Sequence, residues 1–365
     1  MDERAESLHA LSIGGDPGLP SWNDIHQEMV DGGQRLGVAL DLDGVRRAKI
    51  KAVEAITKRP LVVYVVDMAN AAKTGNNPLL SLLNLGDKDG FTEAIRRIDG
   101  DELDVLLQSP GGLAEAVESI VAILRAKFKH IRFIVPSIAK SAATMLALSG
   151  DQIVGGIATE LGPIDPQMPT GRGGFAPAQA ILDQFEEATR QLKADPSSMS
   201  AWLPILQQCG PSLLQECRNR QELSRKLVAS WLASYMFKGE VDAAARADDV
   251  ASKLNNHNLW LAHGRRVDLA WLEGPEARLN VLQLSTDPSL EAAVWALHLA
   301  IGITFTFSGA FKIVENGSGD ALIGIGQTIN LQLLPTPQPS LPGPATTPAR
   351  PAFTGHGPGK RRRRG

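Results

Sequence analysis

Two short apolar runs in the middle of the chain each end in residues that bend or open the backbone. Asp104-Val-Leu-Leu-Gln108 leads into Ser109-Pro-Gly-Gly112, and Ile131-Arg-Phe-Ile-Val135 leads into Ser137-Ile-Ala-Lys-Ser141. Runs this short, with no sustained alternation, suit strands covered on both faces, the condition of a parallel sheet. Helical stretches at 113–127 and 142–149 follow the two turns, so the segment reads as consecutive βα units. Right-handed crossovers bring the loops after such strands to one edge of the sheet. The double glycine and the serine therefore converge.

The same alternation extends outward. Arg59-Pro60 introduces Leu61-Val-Val-Tyr-Val-Val66, a further run dense in β-branched residues, and a helix is expected around Phe91 to Ile98. A strand at 152–154 closes the series. From Phe175 to Tyr235 the pattern is helical (178–192, 201–208, 213–233), with another helix over 242–254 and mixed βα character from Leu259 to Leu284. Ala292 to Phe311 carries no charged side chain over a length of about one bilayer. It includes His298, Gly302 and Thr304, and its pattern changes midway, so we read it as a buried helix (Leu290 to Ala300) followed by a strand (Ile303 to Phe307).

The expected organisation is a polar, helical N-terminal extension over 1–57, a main α/β domain over 58–334 with a helical insertion at about 175–255, and a tail over 335–365. The tail holds eight of the 23 prolines and ends in Lys360-Arg-Arg-Arg-Arg364. Such a composition cannot bury a core and reads as disordered. The chain is 43% hydrophobic with a net charge of −3, which gives no reason to expect a nucleic-acid partner. Two cysteines, Cys209 and Cys217, are too few for a disulfide framework, and the acidic start Met1-Asp-Glu-Arg has no signal-peptide core. A reducing, cytoplasmic setting is expected, with the basic tail free to touch a membrane surface.

The chemistry sits in the two turns. Gly111 and Gly112 lack a Cβ, so their amides can approach a ligand closely. The following helix points its unpaired N–H groups and positive dipole end at the same place. Ser141 opens a helix whose first turn also has unpaired donors. A serine flanked by backbone donors can attack a carbonyl and have the oxyanion held. Each feature alone suits a helix cap or a tight turn; their order and spacing favour catalysis.

Ser109-Pro-Gly-Gly112, Ser141 within Ala139-Lys-Ser-Ala-Ala143, and Leu161-Gly-Pro-Ile-Asp-Pro-Gln167 resemble the serine dehydrogenase proteinase family. That family belongs with signal peptide peptidase A and, more distantly, with the Clp protease catalytic subunit. The resemblance runs over roughly 60–320, with fainter echoes at Leu261–Arg265 and Lys312–Asn316. It implies an α/β fold of the ClpP/crotonase type, a repeated ββα superhelix with an added helical segment. It also implies Ser141 as nucleophile and Gly112 and Ala142 N–H as the oxyanion hole, with Gly111 the alternative donor. In the signal peptide peptidase A branch the base is a lysine downstream of the serine, and Gln191-Leu-Lys-Ala-Asp-Pro196 nominates Lys193.

Three other groups compete for the role of base. Lys140 adjoins the serine, Asp165 lies near where the Clp branch has its histidine, and His263 sits in Ala262-His-Gly-Arg-Arg266. His257 and His263 lack the partners of a metal site, and no cofactor is implied. The expected activity is a serine endopeptidase with a Ser–Lys dyad, acting on a protein or peptide as a homo-oligomer. The alternatives are a non-hydrolytic scaffold of the same fold and, against the placement of the serine, a crotonase-type acyl-CoA enzyme.

Overall fold

The computed structural model describes residues 18–75, 77–170, 174–207 and 209–326. The tail expected over 335–365 lies outside them. In chain order the elements begin with helices α1 (Trp22–Leu36) and α2 (Leu42–Thr57), strand β1 (Leu61–Val66), α3 (Asp87–Ile95), β2 (Glu102–Gln108) and α4 (Ala114–Lys127). Strands β3 (His130–Val135) and β4 (Ile138–Ala139), helix α5 (Ala142–Ala147), and strands β5 (Gln152–Gly155), β6 (Glu160–Leu161), β7 (Gln167–Pro169) and β8 (Phe175–Pro177) follow. Then come α6 (Ala178–Ala194), α7 (Met199–Leu206), α8 (Leu213–Ser234), α9 (Ala243–Asn255), α10 (His257–Trp260) and α11 (Leu269–Glu273). The last elements are β9 (Val281–Gln283), α12 (Pro288–Phe307), β10 (Ala310–Asn316) and β11 (Ala321–Ile325).

Seven strands form the central sheet in the order β11-β10-β1-β2-β3-β5-β9. The five from β1 to β9 run parallel, and β10 and β11 close one edge antiparallel. This is the mixed α/β sheet that the βα series predicts, and it accords with the ClpP-like fold that the resemblance implies. Every residue of β1 is buried because the sheet is covered twice. Val62, Tyr64 and Val66 face the layer built by α3, α4, α5, α8 and α9, while Leu61, Val63 and Val65 face α2 and α12. The period-2 alternation of side chains splits one apolar run between two cores.

One expectation is corrected here. Ile303 to Phe307 is not a strand: α12 is a single helix to Phe307, and the strand begins at Ala310. The helix lies beside α2 and between the sheet and α1, with Leu290, Val294, Leu297, Ile301 and Phe305 on the sheet and Ala296, Ala300 and Ile303 against Ile25 and Met29. Burial on two sides erases the 3.6 period. Thr304 and Thr306 donate their hydroxyls to Ala300 O and Gly302 O at 2.9 Å, satisfying polar groups that made the run look like a strand. Among the described residues this is the helix whose length and apolar composition would suit a membrane span.

Helix α2 is fixed to the sheet by charge as well as packing. The fully buried Arg46 donates Nε–H to Glu315 Oε2 at 2.7 Å, and Arg47 donates to Oε1 at 2.6 Å. Removing one arginine would leave Glu315 buried and under-compensated, a change of the strongly destabilising kind.

Candidate active site

After β2 the chain continues as Ser109-Pro-Gly-Gly and pairs with the segment leading to Ser141. Ser109 N–H donates to Ile138 O, and Lys140 N–H to Ser109 O, both at 3.0 Å. The glycines are therefore set directly beside the serine. A Cβ on Gly111 would lie 2.7 Å from Lys140 O and 2.8 Å from Ser141 Cβ, and Gly111 has a φ of +102° that favours glycine.

On its other side the loop pairs with Leu83, whose N–H donates to Gly111 O (2.8 Å) and whose C=O accepts from Leu113 N–H (2.9 Å). In a parallel bridge these bonds use the groups flanking Gly112, so the Gly112 amide points the opposite way. That N–H has no partner among the described residues. Gly111 N–H, by contrast, already donates to Ser109 Oγ at 3.1 Å. Of the two glycines it is Gly112 that offers a free donor, which removes Gly111 as the alternative.

Ser141 stands at φ +52°, ψ −121°, a backbone region closed to most L-residues, between β4 and α5. Such strain at a strand-to-helix turn is how nucleophile elbows expose a side chain. The helix-cap role open to this serine is not taken up: its hydroxyl makes no capping bond. The next amide, Ala142 N–H, sits at the first helical position and is likewise unpaired among the described residues.

Ser141, Ala142 and Gly112 line a cavity of about 430 Å³ walled by Leu82, Leu113, Met145, Ile164 and Leu223. Ser224 and Arg220 of α8 form part of the same wall, so the helical segment after β8 closes the site. His263 also lines this cavity. Its Nδ1 lies 2.7 Å from Oδ1 of Asp165, which is only 1% exposed. An ionised carboxylate only accepts, so in this contact Nδ1–H is the donor and Nε2 is the ring nitrogen that Asp165 leaves unengaged. The second oxygen of Asp165 receives His257 Nδ1 at 3.0 Å and Gln167 Nε2 at 3.0 Å.

The sequence-predicted residues therefore divide. Ser141, Gly112, Ala142, Asp165 and His263 come together. Lys193 does not: it is exposed near the end of α6 and is not among the cavity's lining residues. The expected Ser141–Lys193 pair is therefore not brought together in this chain. Lys140 is also excluded, since its Nζ donates to Leu161 O at 2.9 Å and pairs with Glu160 at 3.0 Å. His257 joins the same carboxylate, a contact that sequence reasoning did not foresee. The signal available was its place at the start of the short helix α10, six residues before His263.

Residues 43–199 match the family described as ClpP-like SDH-type serine proteinases. Two uncharacterized proteins of Methanocaldococcus jannaschii are 33% identical over 111 residues and 31% identical over 109. Each alignment covers 30% of this chain and 37% or 36% of the relative, so the chain spans little more than a third of their length. Among solved structures, a serine-to-alanine mutant of the 1510-N membrane-bound stomatin-specific protease is 12% identical, with a TM-score of 0.33, over 55% of this chain and 74% of its own. A lysine-to-alanine mutant of that protease, in complex with a substrate peptide, is 14% identical, with a TM-score of 0.29, over 59% and 93%. The stretch similar to the ClpP-like SDH-type serine proteinases, residues 43–199, holds Gly112, Ser141 and Asp165.

Proposed function

We propose that this protein is a serine endopeptidase whose proton carrier is His263, oriented by Asp165. One observation carries the reading: a histidine whose Nδ1 is held by a buried carboxylate shares a cavity with a strained, uncapped serine. Ser141 Oγ attacks the peptide carbonyl carbon while His263 Nε2 takes the hydroxyl proton. The carbonyl oxygen becomes an oxyanion between the Gly112 and Ala142 amides. His263 then gives its proton to the leaving amine as the C–N bond breaks, leaving an ester on Ser141. Water, deprotonated by the same nitrogen, attacks the ester and releases the acid.

The walls of the cavity support an apolar side chain on the residue whose carbonyl is attacked. A fluorogenic peptide carrying leucine or methionine there should be cleaved by the full chain, and rapid acid quenching should recover Ser141 as its acyl ester. Folded protein that neither cleaves such peptides nor becomes acylated would contradict the reading and favour a non-hydrolytic scaffold.

A further inference from the structure

Leu83 is held from both sides. Its own N–H and C=O bind the Gly111–Leu113 backbone. The neighbouring groups, Leu82 C=O and Asn84 N–H, point the other way in the alternation of an extended strand, and both end on a single buried cluster. Lys312 Nζ donates to Leu82 O at 2.9 Å and to both oxygens of Asp87 at 2.8 and 3.0 Å. Asp87 Oδ2 accepts Asn84 N–H at 2.9 Å and the Tyr64 hydroxyl at 2.8 Å. Lys312, Asp87 and Tyr64 are 3%, 3% and 0% exposed.

The three come from distant parts of the chain: β1, the start of α3 and β10. A lysine and a carboxylate removed from water are costly to keep in a fold, and an apolar trio would pack there at less expense. Here they fix the segment that pairs with the Gly111–Leu113 backbone and so sets the direction of the Gly112 amide. A Cβ at Gly112 would fall 2.2 Å from Leu83 O, so the two backbones touch with no slack. A shift of Leu83 is therefore a shift of Gly112.

We infer that Lys312, Asp87 and Tyr64 are positioning residues for the Gly112 amide, acting through Leu83, a role that rests on the oxyanion-hole reading above. Burial pushes the Lys312 ammonium down and the Tyr64 phenol well up from their ordinary values, the Asp87 carboxylate opposing the first shift and adding to the second. The Tyr64 phenol is thus held neutral as a donor to Asp87.

The test uses the full chain with Lys312→Met and Asp87→Asn combined, so that no lone charge is left buried. Backbone hydrogen exchange is read at Leu83 and Leu113, whose amides form the bridge. These two should exchange faster by about tenfold or more while Val105 and Phe133 keep their protection. The kcat for peptide hydrolysis should fall roughly ten- to a hundredfold, the size expected for a misplaced donor, with KM within about twofold. Tyr64→Phe should move the same readings in the same direction by less, and it decides the matter if the double variant does not fold. Wild-type exchange at both amides, or a uniform rise across the sheet, would overturn the inference. If the wild-type chain hydrolyses no peptide, the peptidase reading fails separately, and exchange at Leu83 and Leu113 still decides the positioning role.

Discussion

Asp165 and His263 are 98 residues apart in sequence and 2.7 Å apart in the fold. Asp165 lies in the loop after β6, and His263 in the turn after α10, so the pair joins the sheet edge to the helical segment that walls the cavity. Because Asp165 is buried and its oxygens receive two imidazoles and one amide, its carboxylate is fixed in direction. Asp165→Asn would present an N–H where an acceptor is needed and favour the wrong tautomer of His263. Turnover should fall by roughly a thousandfold or more, with the fold preserved by circular dichroism. Unchanged turnover would separate Asp165 from the chemistry.

His257 touches the reaction only through Asp165. His257→Gln keeps polarity but alters the grip on Oδ2, and kcat should drop by about threefold to tenfold with KM unchanged. A pure KM effect would place His257 in substrate contact instead.

The two glycines should respond differently to a methyl group. Gly111→Ala drives its Cβ into Ser141 and Lys140 O, displacing the nucleophile; turnover should collapse by about a hundredfold or more. Gly112→Ala meets the Leu83 backbone at 2.2 Å, so it should also lower the melting temperature. A Gly112→Ala protein with wild-type melting and turnover would show that the Leu83 bridge does not constrain the site.

Strain at Ser141 is measurable without any substrate. Glycine relieves a positive φ that alanine does not, so Ser141→Gly should be more stable than Ser141→Ala by about 1 kcal/mol. Equal melting temperatures would show that the turn stores no strain.

His298 on α12 is partly buried, packs on Trp295 at 5.2 Å between centroids, and has its pKa pushed down by burial. A base that is harder to protonate in the fold binds more protons unfolded, so stability rises with pH. The contribution is present above the ordinary histidine range and is lost as pH falls through it. His298→Phe should flatten the stability profile between neutral and mildly acidic pH. A slope identical to wild type would assign it to other groups.

The parallel sheet, the turn glycines and Ser141 were legible because each is specified locally: β-branched runs, missing Cβ atoms and strand-to-helix spacing all act within a few residues. Asp165 was visible as a loop residue near the site for the same reason. The base was not. Lys193 and His263 are both polar residues in helical or loop context, and only the packing of the helical segment decides which of them lines the cavity with Ser141. Residues 43–199 match the proteinase family, yet His263 and His257 lie beyond that stretch, so no motif within it could name them. The same limit applies to α12, whose two-sided burial hid its period, and to Lys312, whose partners come from β1 and α3.

The central claim is that His263, not Lys193, activates Ser141. Its direct measurement is the rate at which a fluorophosphonate labels Ser141 in the wild type, Ser141→Ala, His263→Ala and Lys193→Met, with the labelled peptide mapped. Ser141→Ala should take no label at that site, His263→Ala should label slower by roughly a thousandfold, and Lys193→Met should label at the wild-type rate. Loss of labelling in folded Lys193→Met, with wild-type labelling in His263→Ala, would contradict the account.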